Sequence, residues 1–281
     1  MKPEPSPTTQ ENNVPVTYFQ HNKMVLAYTV HGHGKRVLLA FHGFGQNKNY
    51  WKTVAEALPA HEFTVYSFDL FFHGGSVWPH RDSPISKETL CDFFTVFFQH
   101  QQITKFSAAG FSLGGKFALC LAENFTKQIE ELWLVAPDGL NANFWYGLAT
   151  GYTWSRALFK RFIFKPKLFF QLVNVLHSLR LADRSVLRFA ANQMSTRAKR
   201  SQVYFSWCVF KDLRVDVNAL AKSLNTHQVK VLGVSGKYDK VIHTDYLSRF
   251  CKKVKSSELV VLEAGHANLL QKLGAYLATK Q

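Results

Sequence analysis

The stretch FSAAGFSLGGKFAL, residues 106–119, places a serine between glycines where two patterns meet. Ser112 has Gly110 two positions before it, and Gly114 and Gly115 two and three positions after it. The residues before the serine form a short apolar run that indicates a strand, and those after it have helical spacing. The chain is therefore expected to pass from a strand into a helix through a sharp turn at Ser112.

Two explanations of the glycines compete. In the first, small residues only let the helix pack tightly on the strand. In the second, the G-x-S-x-G turn holds the hydroxyl of Ser112 out at the carboxyl end of the sheet. The helix that starts there would point its free N–H groups at a reacting oxygen. The strand before the motif and the helix after it favour the second explanation.

Short apolar runs alternate with amphipathic segments along most of the chain. Two runs near the N-terminus, TYFQH and MVLAYTVHG, predict an initial hairpin. The clearest later strand patterns are RVLLAF (36–41), FTVYSFDL (63–70), ELWLVAP (131–137), QVKVLGVSG (228–236) and SELVVLEAG (257–265). Strands separated by helices form parallel βαβ units, and nearly all-apolar strands suit a sheet covered on both faces. We therefore expect an α/β fold with a mostly parallel central sheet flanked by helices.

The alternating pattern is interrupted between residues 139 and 222, where the sequence has a helical texture and no clear strand. We expect this segment to be a helical cap inserted into one core domain, which residues 16–138 and 223–281 form together. Residues 1–15 are polar and proline-rich, and they are expected to be a disordered tail.

Composition limits the class of protein. A chain of 281 residues with 47% hydrophobic residues is long and apolar enough for a substantial core. The polar N-terminus is not expected to act as a signal peptide, and no run approaches 18 apolar residues, so a membrane span is not expected. The four cysteines are widely spaced and show no metal-ligand pattern, which favours a reducing, cytoplasmic setting.

A catalytic serine requires a base, and the base requires an orienting carboxylate. Asp239 comes just after one late strand, and His266 comes just after the next. The carboxyl ends of parallel strands share one edge of a sheet, so both side chains are expected near Ser112. Asp138, which follows the strand before them, is an alternative acid and remains open at this stage.

An oxyanion hole requires two backbone N–H donors. Leu113 supplies one beside the serine, and the loop FHGFGQN (41–47) supplies the other at Phe44. His42 and His73 are expected to hold their loops by hydrogen bonds rather than to react.

Together these segments resemble the α/β-hydrolase superfamily, in its cap-bearing esterase- and lipase-like branch. The matching segments are HGFG, FDLFFHGGS, GFSLGG, SGKYDKVI and the Gly-His pair at 265–266, and they span roughly residues 36 to 270. Phe72 departs from the pattern, because a glycine is common there. The resemblance implies a serine hydrolase that works through an acyl-enzyme with no metal and no organic cofactor, and it does not imply a substrate.

Several functions remain open for such a site. Cleavage of a carboxylic ester is the expected reaction, and a carbon–carbon bond hydrolase or an acyltransferase would use the same triad. A non-catalytic binding member of the fold is a further alternative. Dehalogenases and epoxide hydrolases of this superfamily carry an aspartate where this chain has Ser112, which argues against both.

The cap segment carries most of the net charge. Residues 139–222 contain fourteen Lys and Arg against three Asp, a net +11 of the chain's +15, interleaved with aromatic residues. The aromatic residues predict a substrate with an apolar acyl part. The charge indicates either a solvated basic face or peripheral contact with an anionic membrane at its inner surface. Nucleic-acid binding is disfavoured, because no known nucleic-acid motif is present.

Overall fold

The central feature of the fold is an eight-stranded sheet. The computed structural model describes residues 14–141 and 191–280, with scattered positions between 157 and 178. The strands are β1 (Thr17–His21), β2 (Met24–Gly32), β3 (Arg36–Phe41), β4 (Phe63–Phe68), β5 (Phe106–Phe111), β6 (Ile129–Val135), β7 (Lys230–Gly236) and β8 (Ser257–Leu262). Their order is β1-β2-β4-β3-β5-β6-β7-β8. Strand β2 is antiparallel to both neighbours, and every other pair is parallel. The predicted hairpin and the mostly parallel sheet are both confirmed.

Helices connect the parallel strands. The helices in the described ranges are α1 (Lys52–Glu56), α2 (Lys87–Gln101), α3 (Gly114–Asn124), α4 (Arg197–Val209), α5 (Val217–Thr226), α6 (Thr244–Cys251) and α7 (Leu269–Ala278), with short 3-10 turns at Lys48–Trp51 and Phe210–Asp212. Helix α2 begins after Ser86, whose hydroxyl accepts a hydrogen bond from the N–H of Thr89 at 3.1 Å. A serine N-cap satisfies one of the free N–H groups at the start of the helix.

Apolar side chains cover the sheet on both faces. The larger cluster contains buried side chains of α2, α3, α5 and α6, and the smaller one contains those of α1 and α7. Every residue of β5 is buried, as a central strand covered on both faces requires. This rigid packing fixes the carboxyl end of β5, where Ser112 begins the turn into α3.

The predicted cap lies only partly within the described residues. Residues 142–156 and 179–190, which include most of one aromatic stretch, lie outside them, as does most of the expected tail, at residues 1–13. The cap boundary expected at residue 222 falls inside α5. Leu220 and Leu224 of that helix are buried in the larger core cluster, and the bounds of the cap remain a prediction.

Two other features concern the setting of the protein. Within the described ranges, no helix is long and apolar enough to cross a membrane. The four cysteine thiols are free, and Cys120, Cys208 and Cys251 are buried. A cytoplasmic location remains a prediction.

Candidate active site

Ser112 lies in a strained turn between β5 and α3. Its φ is 50°, in the left-handed region that side chains other than glycine rarely adopt. Three backbone hydrogen bonds hold it there. Its N–H donates to the carbonyl of Val135 at 3.0 Å, and its carbonyl accepts from the N–H groups of Gly115 and Asp138, both at 2.8 Å. The surrounding structure thus imposes the conformation that exposes the hydroxyl.

The glycines beside Ser112 are required by close backbone approach. A Cβ atom on Gly114 would lie 2.1 Å from the carbonyl oxygen of Phe41, and one on Gly110 would lie 2.6 Å from the carbonyl oxygen of Gly114. Non-bonded atoms cannot approach so closely. The two explanations of the glycines are therefore linked, because tight packing of α3 on β3 and β5 forms the turn that presents Ser112.

His266 connects Ser112 with Asp239. Its Nε2 lies 3.0 Å from the Oγ of Ser112, and its Nδ1 lies 2.6 Å from the Oδ2 of Asp239. Because a carboxylate only accepts, the proton belongs on Nδ1, which leaves Nε2 free to accept from the serine hydroxyl. The ring also packs against that of Phe111, with centroids 4.9 Å apart. The three predicted side chains therefore form one continuous hydrogen-bonded chain.

Asp239 is held as a carboxylate. Its side chain is fully buried, and burial alone would raise its pKa. The hydrogen bond and charge of His266 outweigh burial, together with hydrogen bonds to Oδ1 from the N–H groups of Val241 at 2.8 Å and Ile242 at 3.0 Å. The pKa of Asp239 consequently lies below its ordinary value. The turn after β7 thus fixes both the charge and the direction of this carboxylate.

The alternative acid, Asp138, lies elsewhere. Its Oδ2 is 3.9 Å from the Nζ of Lys116, a buried lysine on α3. Among the described residues, no hydrogen bond or ion pair joins it to His266. Its backbone N–H instead supports the carbonyl of Ser112. The structure therefore brings Asp239, and not Asp138, to the histidine.

The two N–H groups expected in the oxyanion hole are both unpaired. Neither the N–H of Phe44 nor that of Leu113 donates a hydrogen bond within the described part of the chain. Phe44 lines the same cavity as Ser112, and Leu113 is the residue that follows the serine. The side chain of Phe44 packs partly buried against the core and against a small cluster of cap residues. This packing anchors the loop that carries its N–H.

His42 holds the loop that carries Phe44 by hydrogen bonds. Its Nδ1–H donates to the carbonyl of Gly43 at 2.7 Å, and its Nε2 accepts from the N–H of Leu70 at 3.0 Å. The ring is completely buried, and burial, with the nearby His73, lowers its pKa well below the ordinary value. A neutral imidazole is required, because an imidazolium could not accept from Leu70.

His73 holds the other side of the same loop. Its Nε2 accepts from the N–H of Gly45 at 3.1 Å, and its Nδ1–H donates to the carbonyl of Phe71 at 3.0 Å. Burial lowers its pKa to about 4. Both histidines therefore fix loops by hydrogen bonds, as the sequence indicates.

Asp69 stabilises the loop after β4. It accepts hydrogen bonds from the backbone N–H and the ammonium group of Lys48, at 2.7 and 3.0 Å, and from the N–H of Gly75 at 3.0 Å. Its side chain is fully buried, and the ion pair with Lys48 compensates its charge. The residue is structural in this arrangement.

Phe72, the departure from the family pattern, connects this loop to α4, which lies in the predicted cap. Its φ is 68°, which explains why glycine is common at the position. Its ring stacks on Phe205 of α4 with centroids 5.4 Å apart, and its carbonyl accepts from the side chain of Gln202 at 2.8 Å. Contacts with α4 therefore offset the backbone strain.

A cavity of about 590 Å³ opens onto Ser112 and His266. This is within the usual range for small-molecule sites. Besides Ser112 and His266, its wall contains residues that the motifs do not identify: Gln46, Tyr50, Asn192, Gln193, Lys199, Tyr238 and Lys240. Tyr238 and Lys240 could have been suspected from their position beside Asp239. No sequence signal marks Asn192 or Lys199, because nothing in the pattern shows which part of the cap faces the serine.

The sequence profile described as alpha/beta hydrolase fold matches residues 36–273. The chain belongs to the α/β-hydrolase family. Uncharacterized proteins of Mycobacterium bovis and Mycobacterium tuberculosis are 33% identical over 116 residues, which is 41% of this chain and 32% of theirs. The match thus spans about a third of the length of these relatives.

Solved structures of the α/β-hydrolase family share the fold at low identity. A thermophilic esterase from Thermogutta terrifontis superimposes with a TM-score of 0.66 at 19% identity, covering 94% of each chain. A hydrolase from Pseudomonas aeruginosa gives 0.63 at 20%, covering 95% of this chain and 98% of that one. A meta-cleavage product hydrolase from Pseudomonas fluorescens gives 0.62 at 17%, covering 94% and 95%. These likenesses show the fold alone.

Proposed function

We propose that this α/β-hydrolase cleaves carboxylic esters with an apolar acyl part through Ser112, His266 and Asp239. The observation that carries the proposal is the hydrogen-bonded chain from Ser112 Oγ through His266 to Asp239, at 3.0 and 2.6 Å, at the wall of a cavity. Nucleophile, base and orienting acid in this sequence of contacts are what acyl transfer requires.

In the first half of the reaction, Ser112 Oγ attacks the ester carbonyl while His266 Nε2 takes the hydroxyl proton. The carbonyl oxygen becomes negative, and the N–H groups of Phe44 and Leu113 donate to it. Asp239 stabilises the imidazolium without taking its proton. When the tetrahedral intermediate collapses, His266 returns the proton to the departing alcohol, and the acyl group remains on Ser112.

In the second half, water enters the site and His266 removes its proton as the water attacks the acyl-enzyme. The same two N–H groups stabilise the second tetrahedral intermediate. Its collapse releases the carboxylic acid, and the proton on His266 restores the hydroxyl of Ser112. The proposed cycle uses no metal and no organic cofactor.

The apolar acyl part is supported by the walls of the cavity and by the sequence of the cap. Phe44, Phe111 and Val241 line the cavity beside Ser112. Burying apolar surface contributes about 25 cal/mol per Å², so a short alkyl chain gains several-fold in affinity there. The aromatic residues at 142–154, from which the sequence predicts an apolar acyl part, lie outside the described residues.

The test combines a fluorophosphonate probe with a panel of p-nitrophenyl esters of rising acyl length. We expect the probe to label wild type but not Ser112→Ala, and we expect p-nitrophenol release that rises from acetate to longer acyl chains. Labelling without hydrolysis of any ester would favour the carbon–carbon bond hydrolase or the acyltransferase. Absence of both labelling and hydrolysis would favour a non-catalytic binding protein and refute the proposal.

A further inference from the structure

The cavity beside Ser112 is cationic on the side formed by the cap and the turn after β7. Lys199 and Lys240 both contribute to its wall. Among the described residues, no acidic side chain lines the cavity. The nearby carboxylate of Asp239 is fully buried and does not reach the cavity wall. The ammonium group of Lys199, in a partly enclosed wall, produces a positive potential that a neutral ester does not use.

Lys199 is held in place without losing its charge. It lies in the first turn of α4, where its N–H donates to the hydroxyl of the N-cap residue Thr196 at 3.2 Å. Its ammonium donates to the backbone carbonyl and the side-chain oxygen of Asn192, at 3.3 and 3.1 Å. Both acceptors are neutral, and no ion pair of Lys199 is found in the described residues. An ammonium so oriented keeps its full attraction for an anion.

The neighbouring wall is polar as well. Asn192, Gln193 and Tyr50 add amide and hydroxyl groups, and Gln193 approaches the loop that carries the N–H of Phe44. An apolar acyl chain would leave these groups without new partners. A charged oxygen group would instead accept hydrogen bonds from them.

We propose that the substrate carries an anionic oxygen group, such as a carboxylate, several bonds away from the scissile ester, and that Lys199 binds this group. The inference rests on the proposed ester hydrolysis and narrows it to an amphiphilic, anionic ester. The apolar walls receive the carbon chain, and the cationic wall receives its charged end.

The test compares pairs of esters in which a carboxylate of one member is replaced by its methyl ester in the other. On the acyl side, the pair is the mono-4-nitrophenyl ester of adipate and its methyl ester. On the alcohol side, the pair is 4-carboxyphenyl butyrate and its methyl ester. We expect wild type to show a kcat/KM ratio of anionic to neutral ester well above one in at least one pair at low salt. Added salt should lower that ratio.

Variants test whether the preference for the anionic ester depends on Lys199. In Lys199→Met we expect the anionic-to-neutral ratio to fall about tenfold, the size expected for one charge-assisted hydrogen bond. Lys199→Arg retains the charge and should retain most of the ratio. Lys165→Met removes an equal charge from an exposed cap position that does not line the cavity, so its ratio should match wild type.

The outcomes separate this inference from the proposed function. If neutral esters are hydrolysed but the ratio is one or less in both pairs, or is the same in Lys199→Met, the inference is wrong and ester hydrolysis stands. If no ester is cleaved, calorimetric titration of Ser112→Ala with monomethyl adipate and dimethyl adipate replaces the kinetics. Tighter binding of the anion, lost on adding Lys199→Met, supports the site, and equal binding of both compounds overturns it.

Discussion

The Nε2 of His266 lies 3.0 Å from the Oγ of Ser112, although 154 positions separate the two residues along the chain. The contact exists because β5 and β8 are parallel strands of one sheet, so that the residues after their carboxyl ends lie at the same edge. Strands β6 and β7 lie between them, and backbone hydrogen bonds hold each strand to the next. The positions of the two side chains are therefore fixed by the sheet.

Removal of either partner of this contact should abolish turnover. We expect Ser112→Ala and His266→Ala each to lower kcat for a p-nitrophenyl ester by about 10⁴-fold or more, because triad members act as a unit. The double variant should be little worse than either single one. Steady-state kinetics on purified, folded variants measures this, and additive losses in the double variant would contradict a shared step.

The two candidate acids can be distinguished by matched substitutions. Asp239→Asn replaces a carboxylate 2.6 Å from the Nδ1 of His266, and it should lower kcat strongly, though less than loss of Ser112 or His266. Asp138→Asn alters a group 3.9 Å from Lys116 and should change kcat little. If Asp138→Asn lost its activity while Asp239→Asn kept it, the assignment of Asp239 as the acid would be wrong.

The fold and the hydrogen-bonded chain of Ser112, His266 and Asp239 could be predicted from sequence because both depend on local signals. Apolar runs marked the strands, and chemistry-bearing residues directly after three of them, Ser112, Asp239 and His266, had to share an edge. The contacts that hold the site residues in place could not be predicted in the same way. That Gly114 is required by the carbonyl of Phe41, or that His73 accepts from Gly45, follows from contacts between distant segments. The position of Lys199 in the cavity wall could not be predicted, because no sequence pattern shows which side of α4 lies near Ser112.

The turn at Ser112 should be sensitive to a single methyl group. A Cβ on Gly114 would lie 2.1 Å from the carbonyl oxygen of Phe41, and this backbone contact cannot relax. We expect Gly114→Ala to lower the free energy of unfolding by about 3 kcal/mol or more. Gly265→Ala is the control, since the nearest atom to its Cβ would be 3.9 Å away, and its stability should stay within about 0.5 kcal/mol of wild type. Urea unfolding monitored by circular dichroism compares the two, and equal stabilities would contradict the packing argument.

Stability should decrease on mild acidification through His73. Burial lowers its folded-state pKa to about 4, below the value near 6.5 in the unfolded chain, so the unfolded state binds the proton first. The contribution of neutral His73 to the free energy of unfolding is therefore complete above pH 6.5. It is lost as the pH falls toward 4, with roughly 2 kcal/mol lost by pH 5. His73→Gln keeps an acceptor for the N–H of Gly45 but does not titrate.

Urea unfolding at pH 7.5 and pH 5 measures this effect in both proteins. Wild type should lose more unfolding free energy between the two conditions than His73→Gln does, by roughly the amount stated above. His42 is common to both proteins, and because burial is the largest cause of its lowered pKa, its contribution should change little when His73 is replaced. An identical pH dependence in the two proteins would show that His73 is not the titrating group.

The cap presents an exposed aromatic residue among exposed cations, which predicts binding to anionic membrane surfaces. Phe164 is 62% exposed. The cations near it in the sequence, all exposed, are Lys160, Arg161, Lys165 and Lys167. Each basic residue near an anionic bilayer contributes about 1 kcal/mol, and an inserted aromatic ring adds to this. We expect wild type to co-sediment with phosphatidylserine-containing vesicles better than with phosphatidylcholine vesicles, and to be released by salt.

Charge reversal distinguishes this surface from the general positive charge of the chain. Reversing the four cap cations together should weaken vesicle binding by at least tenfold while leaving hydrolysis of a short neutral ester nearly intact, since none of them lines the cavity. The control reverses four exposed lysines near the amino ends of strands, Lys35, Lys105, Lys127 and Lys230. Both variants have the same net charge, so non-specific attraction would weaken equally in the two. Equal weakening, or no preference of wild type for anionic vesicles at low salt, would leave the cap cations as a solvated helix face.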